Sequence, residues 1–239
     1  MGNNLGCTLP GIMSSSKLLP AVVCASRSAQ TATLIFLHGL GDTGHGWSGM
    51  LREIIPDYCK LICPHAPSIP VTLNAGIRMP AWYDIYSLGI DAQQDEEGLI
   101  AASAELDKFV DAEIKSGISA KRIIIGGFSQ GGSVALYNAL TKDHEYGGII
   151  LLSSWLPVHT KFVGDHSLVG MPKNTPLLQC HGTEDCVIPF EMGKATHELL
   201  KDFSLTNCDF NSYPHMGHSS GDQEMQDVQT FLTKNLPML

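Results

Sequence analysis

Basic side chains are scarce in this chain of 239 residues, which holds 15 lysines and arginines against 24 aspartates and glutamates. The formal net charge is −9 at pH 7, and no run of basic residues interrupts the acidic excess. Proteins that bind nucleic acids or anionic lipid headgroups use clustered positive charge to neutralise phosphates. The composition therefore disfavours a nucleic-acid partner and a polybasic segment for anionic membranes.

The sequence also lacks long apolar runs and a regular arrangement of cysteines. No run approaches the about 20 apolar residues that a membrane-spanning helix needs. Segment 17–25 faintly resembles the apolar core of a signal peptide, but it is short and Pro20 interrupts it. Seven cysteines without a regular spacing are typical of a reducing compartment. We expect a cytoplasmic protein without a metal site.

The most informative stretch is the G-x-S-x-G motif at positions 127–131, with Ser129 at its centre. An apolar run precedes it at 122–126, and a helix-like pattern follows at 133–140. A strand, a sharp turn and a helix in this order form the setting of a nucleophile elbow. The glycines of the motif allow the strand and the helix to pack closely around the turn. The pattern predicts that Ser129 is a nucleophile.

A nucleophilic serine needs a base and an acid, which on α/β-hydrolase folds follow it in the order Asp or Glu, then His. Asp185 lies in the loop after a short apolar strand at 176–182. His218 lies in the loop after a second strand at 207–213. The loops at the carboxyl ends of parallel strands carry the chemistry of such sheets. We predict His218 as the general base and Asp185 as the acid that orients it.

Both of these assignments have neighbouring alternatives. Glu184 adjoins the predicted acid, and His215 lies three residues before the predicted base. Gly217 favours the later histidine, because a tight turn is needed to direct the imidazole back towards the elbow. His181 ends a strand, a position that favours packing or hydrogen bonding over a role as the base.

An apolar strand at 32–37 leads into a glycine-rich loop at 38–47. In a hydrolase, the oxyanion hole takes one N–H from the residue after the nucleophile, here Gln130, and a second from such a loop, here Leu40. The loop also has the G-x-G-x-x-G spacing of a dinucleotide site, but no acidic residue ends a following strand. No Walker lysine follows the glycines either. We therefore expect no cofactor.

These motifs resemble, in the same order, those of the acyl-protein thioesterase/lysophospholipase family of serine hydrolases. The resemblance runs from about residue 32 to the C-terminus, and its matching segments are 36–47, 62–67, 70–74, 79–84, 126–132, 152–157, 178–182 and 218–220. Carried over to these positions, the catalytic triad of the family falls on Ser129, Asp185 and His218. Its oxyanion donors fall on Leu40 and Gln130.

The resemblance implies a cytosolic enzyme that removes long acyl chains such as palmitate from cysteine thioesters on proteins. It implies S-acylated proteins and lysophospholipids as substrates, together with simple esters. A lysophospholipase or carboxylesterase that acts on lipids or small esters is the alternative function. A non-catalytic lipid-binding scaffold on the same fold is a third hypothesis, which an incomplete triad would favour, and this triad is complete in the sequence. Apolar residues with Trp82 are expected to line an acyl groove, and we predict Leu40, Ile85 and Leu88 for that role.

Strand and helix patterns alternate along the chain, which indicates a mostly parallel sheet with helices on both faces. The clearest helix spans 95–116, and a terminal helix is predicted over 221–236. The apolar face of the first contains Leu99, Ala102, Leu106, Phe109 and Val110. We expect one α/β-hydrolase domain over 31–239, without a separate lid domain, after a flexible tail at 1–30.

The N-terminus offers two positions for acylation. Gly2 follows Met1, and Cys7 lies five residues after that glycine. The usual myristoylation pattern has Ser or Thr at the sixth position, where this chain has Gly6. One acyl chain anchors a protein only marginally, whereas two anchor it stably. We expect transient membrane association through acylation at Cys7 or Gly2, with an unmodified tail as the alternative.

Overall fold

The computed structural model describes residues 18–89 and 92–239, and this part of the chain contains a seven-stranded sheet and a separate two-stranded hairpin. The sheet strands are β1 (Ala21–Cys24), β2 (Ala32–Leu37), β3 (Cys59–Pro64), β6 (Ile123–Phe128), β7 (Gly148–Leu152), β8 (Leu177–Gly182) and β9 (Cys208–Tyr213). The hairpin strands are β4 (Ser68–Val71) and β5 (Ile77–Pro80). The helices are α1 (Gly44–Ile54), α2 (Glu96–Lys115), α3 (Gln130–Thr141), α4 (His159–Gly164), α5 (Phe190–Asp202) and α6 (Asp222–Asn235).

The strand order in the sheet is β1-β3-β2-β6-β7-β8-β9. All neighbouring strands are parallel except β1, which pairs antiparallel with β3 at one edge. The chain builds outward from β2 to β3 and then returns to place β6 on the other side of β2, where Leu37 is opposite Gly127. The direction of strand addition reverses between β2 and β6, and ligands of α/β sheets bind at such a switch point.

Helices cover both faces of the sheet, as predicted. One apolar core lies between the sheet and helices α2 and α3, and a second lies between the sheet and helices α1 and α6. The predicted inward residues of α2 are all buried. Asp95 caps this helix, because its side chain accepts a hydrogen bond from the Gly98 N–H at 3.0 Å. Among the helices that the structure describes, none is both long and apolar enough to cross a bilayer.

The folded domain begins earlier in the chain than the predicted boundary at residue 31. Strand β1 lies inside the predicted tail and pairs with β3, with Val22 opposite Cys63. This strand has only four residues, so its sequence pattern is too short to distinguish it from a loop. Pairing with the distant strand β3, and not the conformational preference of its own four residues, makes this segment a strand. The two acylation positions, Gly2 and Cys7, lie outside the described residues.

Candidate active site

Ser129 lies in a sharp turn between the end of β6 and the start of α3, with φ of 52° and ψ of −120°. This backbone conformation is costly for a residue with a side chain and persists only where its surroundings enforce it. The Ser129 N–H donates to the Leu152 carbonyl at 2.8 Å, and the Ser154 hydroxyl donates to the Ser129 carbonyl at 2.8 Å. The neighbouring strand β7 and the residues after it therefore hold the turn in place.

The glycines of the elbow are required for close approach of the backbone. A Cβ atom at Gly131 would lie 2.3 Å from the carbonyl oxygen of Leu37 at the end of β2. A Cβ atom at Gly127 would lie 2.3 Å from the carbonyl carbon of Gly131 itself. Any larger residue at these positions would force the helix away from the sheet. The observed turn is the nucleophile elbow that the sequence predicts.

Ser129, His218 and Asp185 form a continuous hydrogen-bonded chain. The Ser129 hydroxyl lies 3.0 Å from His218 Nε2, and His218 Nδ1 lies 2.7 Å from Asp185 Oδ2. Since a carboxylate can only accept, Nδ1 carries the proton and donates it to Asp185. Nε2 of the neutral ring is then free to accept the Ser129 proton. This arrangement has the geometry of a nucleophile, a general base and an orienting acid.

The Asp185 side chain is fully buried and is held by the backbone of its own loop. Its Oδ1 atom accepts hydrogen bonds from the N–H groups of Val187 and Ile188, both at 2.9 Å. These bonds leave Oδ2 directed at His218. The carboxylate can thus orient the imidazole without any change in its own position.

Aromatic packing fixes the other side of the His218 ring. The ring centroid of Phe128 lies 4.7 Å from that of His218, and Trp47 lies 5.0 Å from Phe128. Phe128 is the residue before the nucleophile, so the same turn that presents Ser129 also supports the base. The motif therefore positions both Ser129 and His218.

The two alternative residues, Glu184 and His215, bind each other instead. Their side chains form a 2.8 Å hydrogen bond at the surface, where the exposed fractions are 60% and 88%. Each therefore has its own partner outside the buried triad. The structure brings together the three residues predicted first.

His38 shapes the glycine-rich loop that carries Leu40. Its imidazole is fully buried; Nδ1 donates to the Gly39 carbonyl at 2.7 Å, and Nε2 accepts from the Ala66 N–H at 3.0 Å. Burial lowers the pKa of His38, although the Gly39 carbonyl opposes this shift. The neutral ring therefore joins the loop to the segment after β3.

Trp82 connects Gln130 to the glycine-rich loop that carries Leu40, so it joins the segments of both predicted oxyanion donors. Its indole N–H donates to the His38 carbonyl at 2.8 Å, and its backbone N–H donates to the Gln130 side-chain oxygen at 3.0 Å. Within residues 18–89 and 92–239, the backbone N–H groups of Leu40 and Gln130 donate to no other residue. Both remain free to bind a developing oxyanion.

An apolar groove of about 290 Å³ opens at Ser129 and His218. Its apolar walls come from Leu40, Leu73, Ile85, Leu88, Phe128, Trp155, Val187 and Ile188. Three predicted groove residues are therefore in place. Trp82 is a correction, because its hydrogen bonds hold it behind the glycine-rich loop and it does not line the groove.

Two further cavities adjoin the groove and share wall residues with it. Ile85, Leu88, Trp155 and Ile188 also line a narrower cavity that extends to Met192. Trp155 and Met192 then border a third cavity that ends at Leu199 on α5. Sequence reasoning missed Trp155, although an indole just after a central strand of a parallel sheet is a usable signal for the site. The walls of the groove thus come from segments far apart in the chain.

Across the described ranges, no three or more histidine, cysteine, aspartate or glutamate side chains are grouped so that they could hold a metal ion. The polar groups next to Ser129 are its own hydroxyl, the imidazole of His218 with the carboxylate of Asp185, and the free backbone N–H groups, while Asp42 and Asn74 also line the groove. A hydroxyl, an imidazole, a carboxylate and free N–H groups are what acyl transfer through a covalent serine intermediate requires.

The chain belongs to the phospholipase/carboxylesterase family, whose sequence profile matches residues 19–236. It is 42% identical to the acyl-protein thioesterase 1 of Neurospora crassa over 237 residues, which cover 94% of this chain and 95% of that protein. It is 38% identical to the acyl-protein thioesterase 1 of Yarrowia lipolytica, over 91% of this chain and 97% of that protein.

Solved structures show the same fold. Acyl-protein thioesterase 2 of Zea mays superimposes with a TM-score of 0.81 at 32% identity, over 91% of this chain and 99% of that chain. SOBER1 of Arabidopsis thaliana gives a TM-score of 0.80 at 30% identity, over 86% of this chain and 99% of that chain. The central sheet with its helices is therefore an α/β-hydrolase fold, as the sequence predicts.

Proposed function

We propose that this protein is a serine hydrolase that removes long acyl groups from cysteine thioesters on proteins. The observation that carries the proposal is the hydrogen-bonded chain from Ser129 through His218 to Asp185 at the floor of an apolar groove. Relatives that match nearly the whole chain are named acyl-protein thioesterases, which supports this substrate class. No cofactor is needed for the chemistry.

The reaction proceeds in two halves. His218 takes the proton of Ser129 as the oxygen attacks the acyl carbonyl, and the N–H groups of Leu40 and Gln130 stabilise the oxyanion. The C–S bond breaks and the cysteine sulfur leaves as a thiol, which receives its proton from His218, so that an acyl-Ser129 ester remains. Water then gives a proton to His218 and attacks this ester, and the fatty acid leaves as Ser129 regains its proton.

The shape of the groove supports a long acyl chain as the part of the substrate that is bound. Apolar burial contributes about 0.8 kcal/mol for each CH₂ group removed from water, so a long chain gains far more than an acetyl group. The cavities that continue from Trp155 to Leu199 would accept the distal carbons. A palmitoyl substrate should therefore have a lower KM than a short-chain ester at a similar kcat.

The direct test compares the wild type with Ser129→Ala on two substrates of equal acyl length, a palmitoyl-thioester peptide and palmitoyl lysophosphatidylcholine. We expect faster release from the thioester, and loss of both activities in the variant by several orders of magnitude. A Ser129-dependent preference for the phospholipid would instead establish the lysophospholipase alternative. Turnover that survives in the variant would overturn the acyl-serine mechanism.

We propose that the enzyme acts in the cytoplasm, with transient membrane contact through acylation at Cys7 or Gly2. Its substrates would be acyl chains at a membrane surface, where an acylated enzyme would be concentrated. The intact mass of the protein from its native cell tests this point. An N-terminus of unmodified mass would contradict the anchor and leave the proposed chemistry as it stands.

A further inference from the structure

A second histidine, His181, contacts the loop that carries the triad acid. It stands at the carboxyl end of β8, and its side chain is fully buried. Its Nε2 atom lies 2.9 Å from the carbonyl oxygen of Ile188 and 3.5 Å from Asp185 Oδ2. The catalytic scheme above makes no use of this group.

The tautomer of His181 follows from its surroundings. A carbonyl oxygen can only accept, so Nε2 carries the proton and donates it to Ile188. Nδ1 is buried and has no hydrogen-bond partner among residues 18–89 and 92–239. Burial lowers the pKa of His181, against the opposing effects of the Ile188 carbonyl and Asp185, so the ring is neutral.

Ile188 links His181 to Asp185 through two hydrogen bonds, one at each side of its backbone, in the loop 185–188 that we call the acid loop. His181 holds the carbonyl group of Ile188, while the N–H group of Ile188 donates to Asp185 Oδ1 at 2.9 Å. Strand β8 is therefore connected to the acid through one residue of the loop. Asp185 Oδ2 lies between two imidazoles, at 2.7 Å from His218 Nδ1 and at 3.5 Å from His181 Nε2.

The imidazole of His181 packs against helix α5 at Gly193. A Cβ atom at Gly193 would lie 2.3 Å from His181 Nδ1, so helix α5 can approach only because residue 193 has no side chain. The ring of Phe190 lies 6.0 Å away in an edge-on arrangement and limits its rotation. These contacts restrict the imidazole, whose Nε2 atom faces the carbonyl group of Ile188.

We propose that His181 is a positioning residue for the hydrolysis reaction, which holds the loop 185–188 so that Asp185 meets His218 in the productive geometry. It does not touch the substrate and transfers no proton. The inference depends on the serine hydrolase chemistry proposed above, and it is independent of which acylated substrate the enzyme prefers.

The test replaces His181 with two residues of comparable size. His181→Leu removes the donor, whereas His181→Gln retains an N–H near the position of Nε2. The substrate is p-nitrophenyl acetate, whose acetyl group reports on the triad and does not reach along the groove. Displacement of a catalytic group by about 1 Å can cost about 100-fold in rate. We expect kcat of the Leu variant to fall about 10- to 100-fold with KM nearly unchanged, and the Gln variant to recover most of the loss.

His197 provides a matched control. It is also a buried histidine on the same side of the sheet, and burial lowers its pKa, but it stacks on Phe210 at 5.2 Å instead of contacting the acid loop. His197→Leu should lower the thermal midpoint while kcat stays at the wild-type value. Assays are run at a temperature at which circular dichroism shows all variants to be folded.

Three results would overturn the proposal. They are a wild-type kcat in His181→Leu, no recovery in His181→Gln, and an equal loss of kcat in His197→Leu. Gly193→Ala adds a variant in which His181 is present but displaced, and its kcat should fall as well. Failure of the wild type to cleave a palmitoyl thioester would count against the proposed substrate alone, because p-nitrophenyl acetate reads the triad directly.

Discussion

Asp185 and Glu224 are both buried carboxyl groups, but the structure surrounds them in opposite ways. Asp185 receives two backbone N–H groups at 2.9 Å and the His218 ring at 2.7 Å. Glu224, in the first turn of α6, is fully buried, and neither of its oxygens has a partner within the described part of the chain. Burial alone therefore does not indicate a catalytic carboxylate. The hydrogen-bond donors that face the carboxylate are the more informative feature.

The two environments have different consequences for charge. Burial raises the pKa of Glu224 to about 8, although the Gly221 backbone N–H opposes the shift, and the nearby Asp227 adds to it. At neutral pH this carboxyl group is protonated and behaves as a polar member of the core. Asp185 instead has a donor for each oxygen, which suits a group that must stay in contact with an imidazole through the reaction. Replacing each acid by its amide separates the two roles.

The largest effect is expected from Asp185→Asn. The amide oxygen can still accept from Val187 and Ile188, so the thermal midpoint should change little. The amide N–H₂ group would face His218 Nδ1 and favour the tautomer that cannot take the Ser129 proton. In a serine protease the corresponding change lowers kcat by about 10⁴-fold, and we expect a similar loss here. Steady-state kinetics on p-nitrophenyl acetate and a thermal melt measure both quantities.

Glu184→Gln is the control for this experiment, because its side chain binds His215 at the surface. It should retain nearly the wild-type kcat. If Asp185→Asn kept normal turnover while Glu184→Gln lost it, the assignment of the acid would be reversed. Glu224→Gln should also keep the wild-type kcat, since nothing in the proposed chemistry involves it.

The next effect concerns the pH dependence of stability that Glu224 causes. The pKa of Glu224 is about 8 in the folded protein, above its ordinary value of 4.5, so unfolding releases a proton between these two pH values. The contribution of Glu224 to the free energy of unfolding should therefore fall by about 1.4 kcal/mol for each pH unit across this window. The amide of Glu224→Gln does not titrate, so this contribution to the slope should vanish.

Chemical denaturation at several pH values from 5 to 8 gives the comparison. The amide variant should match the wild type near pH 5 and exceed its free energy of unfolding increasingly towards pH 8. Glu198→Gln, on an exposed face of α5, is the control and should follow the wild type at every pH. Parallel curves for the wild type and Glu224→Gln would mean that Glu224 is already ionised in the folded protein.

The three residues of the hydrogen-bonded chain, Ser129, His218 and Asp185, could be singled out from the sequence because each has a local signature. Ser129 lies within a short motif between a strand and a helix, and the acid and the base follow apolar strands in a fixed chain order. The geometry of a parallel sheet then brings their loops to one edge. The predictions of the β6–α3 elbow, of helix α2 and of the sheet type are confirmed for the same reason: each depends on residues close together in the sequence.

The residues that could not be predicted depend on long-range packing. Trp82 binds the carbonyl of His38 and the side chain of Gln130, and no local pattern indicates that these three residues meet. Strand β1 exists only because β3 pairs with it. Glu224 has the sequence position of an ordinary acidic residue in the first turn of a helix. Only the position of α6 against the sheet shows that it is buried.

The smallest expected effect is on thiol reactivity. Cys186 reports on the surroundings of Asp185, and Cys180 reports on the surroundings of Glu224. Cys186 adjoins Asp185 and is exposed, whereas Cys180 is buried and its pKa is raised by burial and by Glu224. Iodoacetamide at pH 8 should label Cys186 in the native protein and Cys180 only after opening of the fold.

Because Glu224→Gln stabilises the fold at this pH, it should slow labelling of Cys180 and leave labelling of Cys186 unaffected. Peptide mass spectrometry measures both rates. Equal slowing at both thiols would mean that the acid loop and the first turn of α6 open together, so the two carboxyl groups would belong to one cooperative unit.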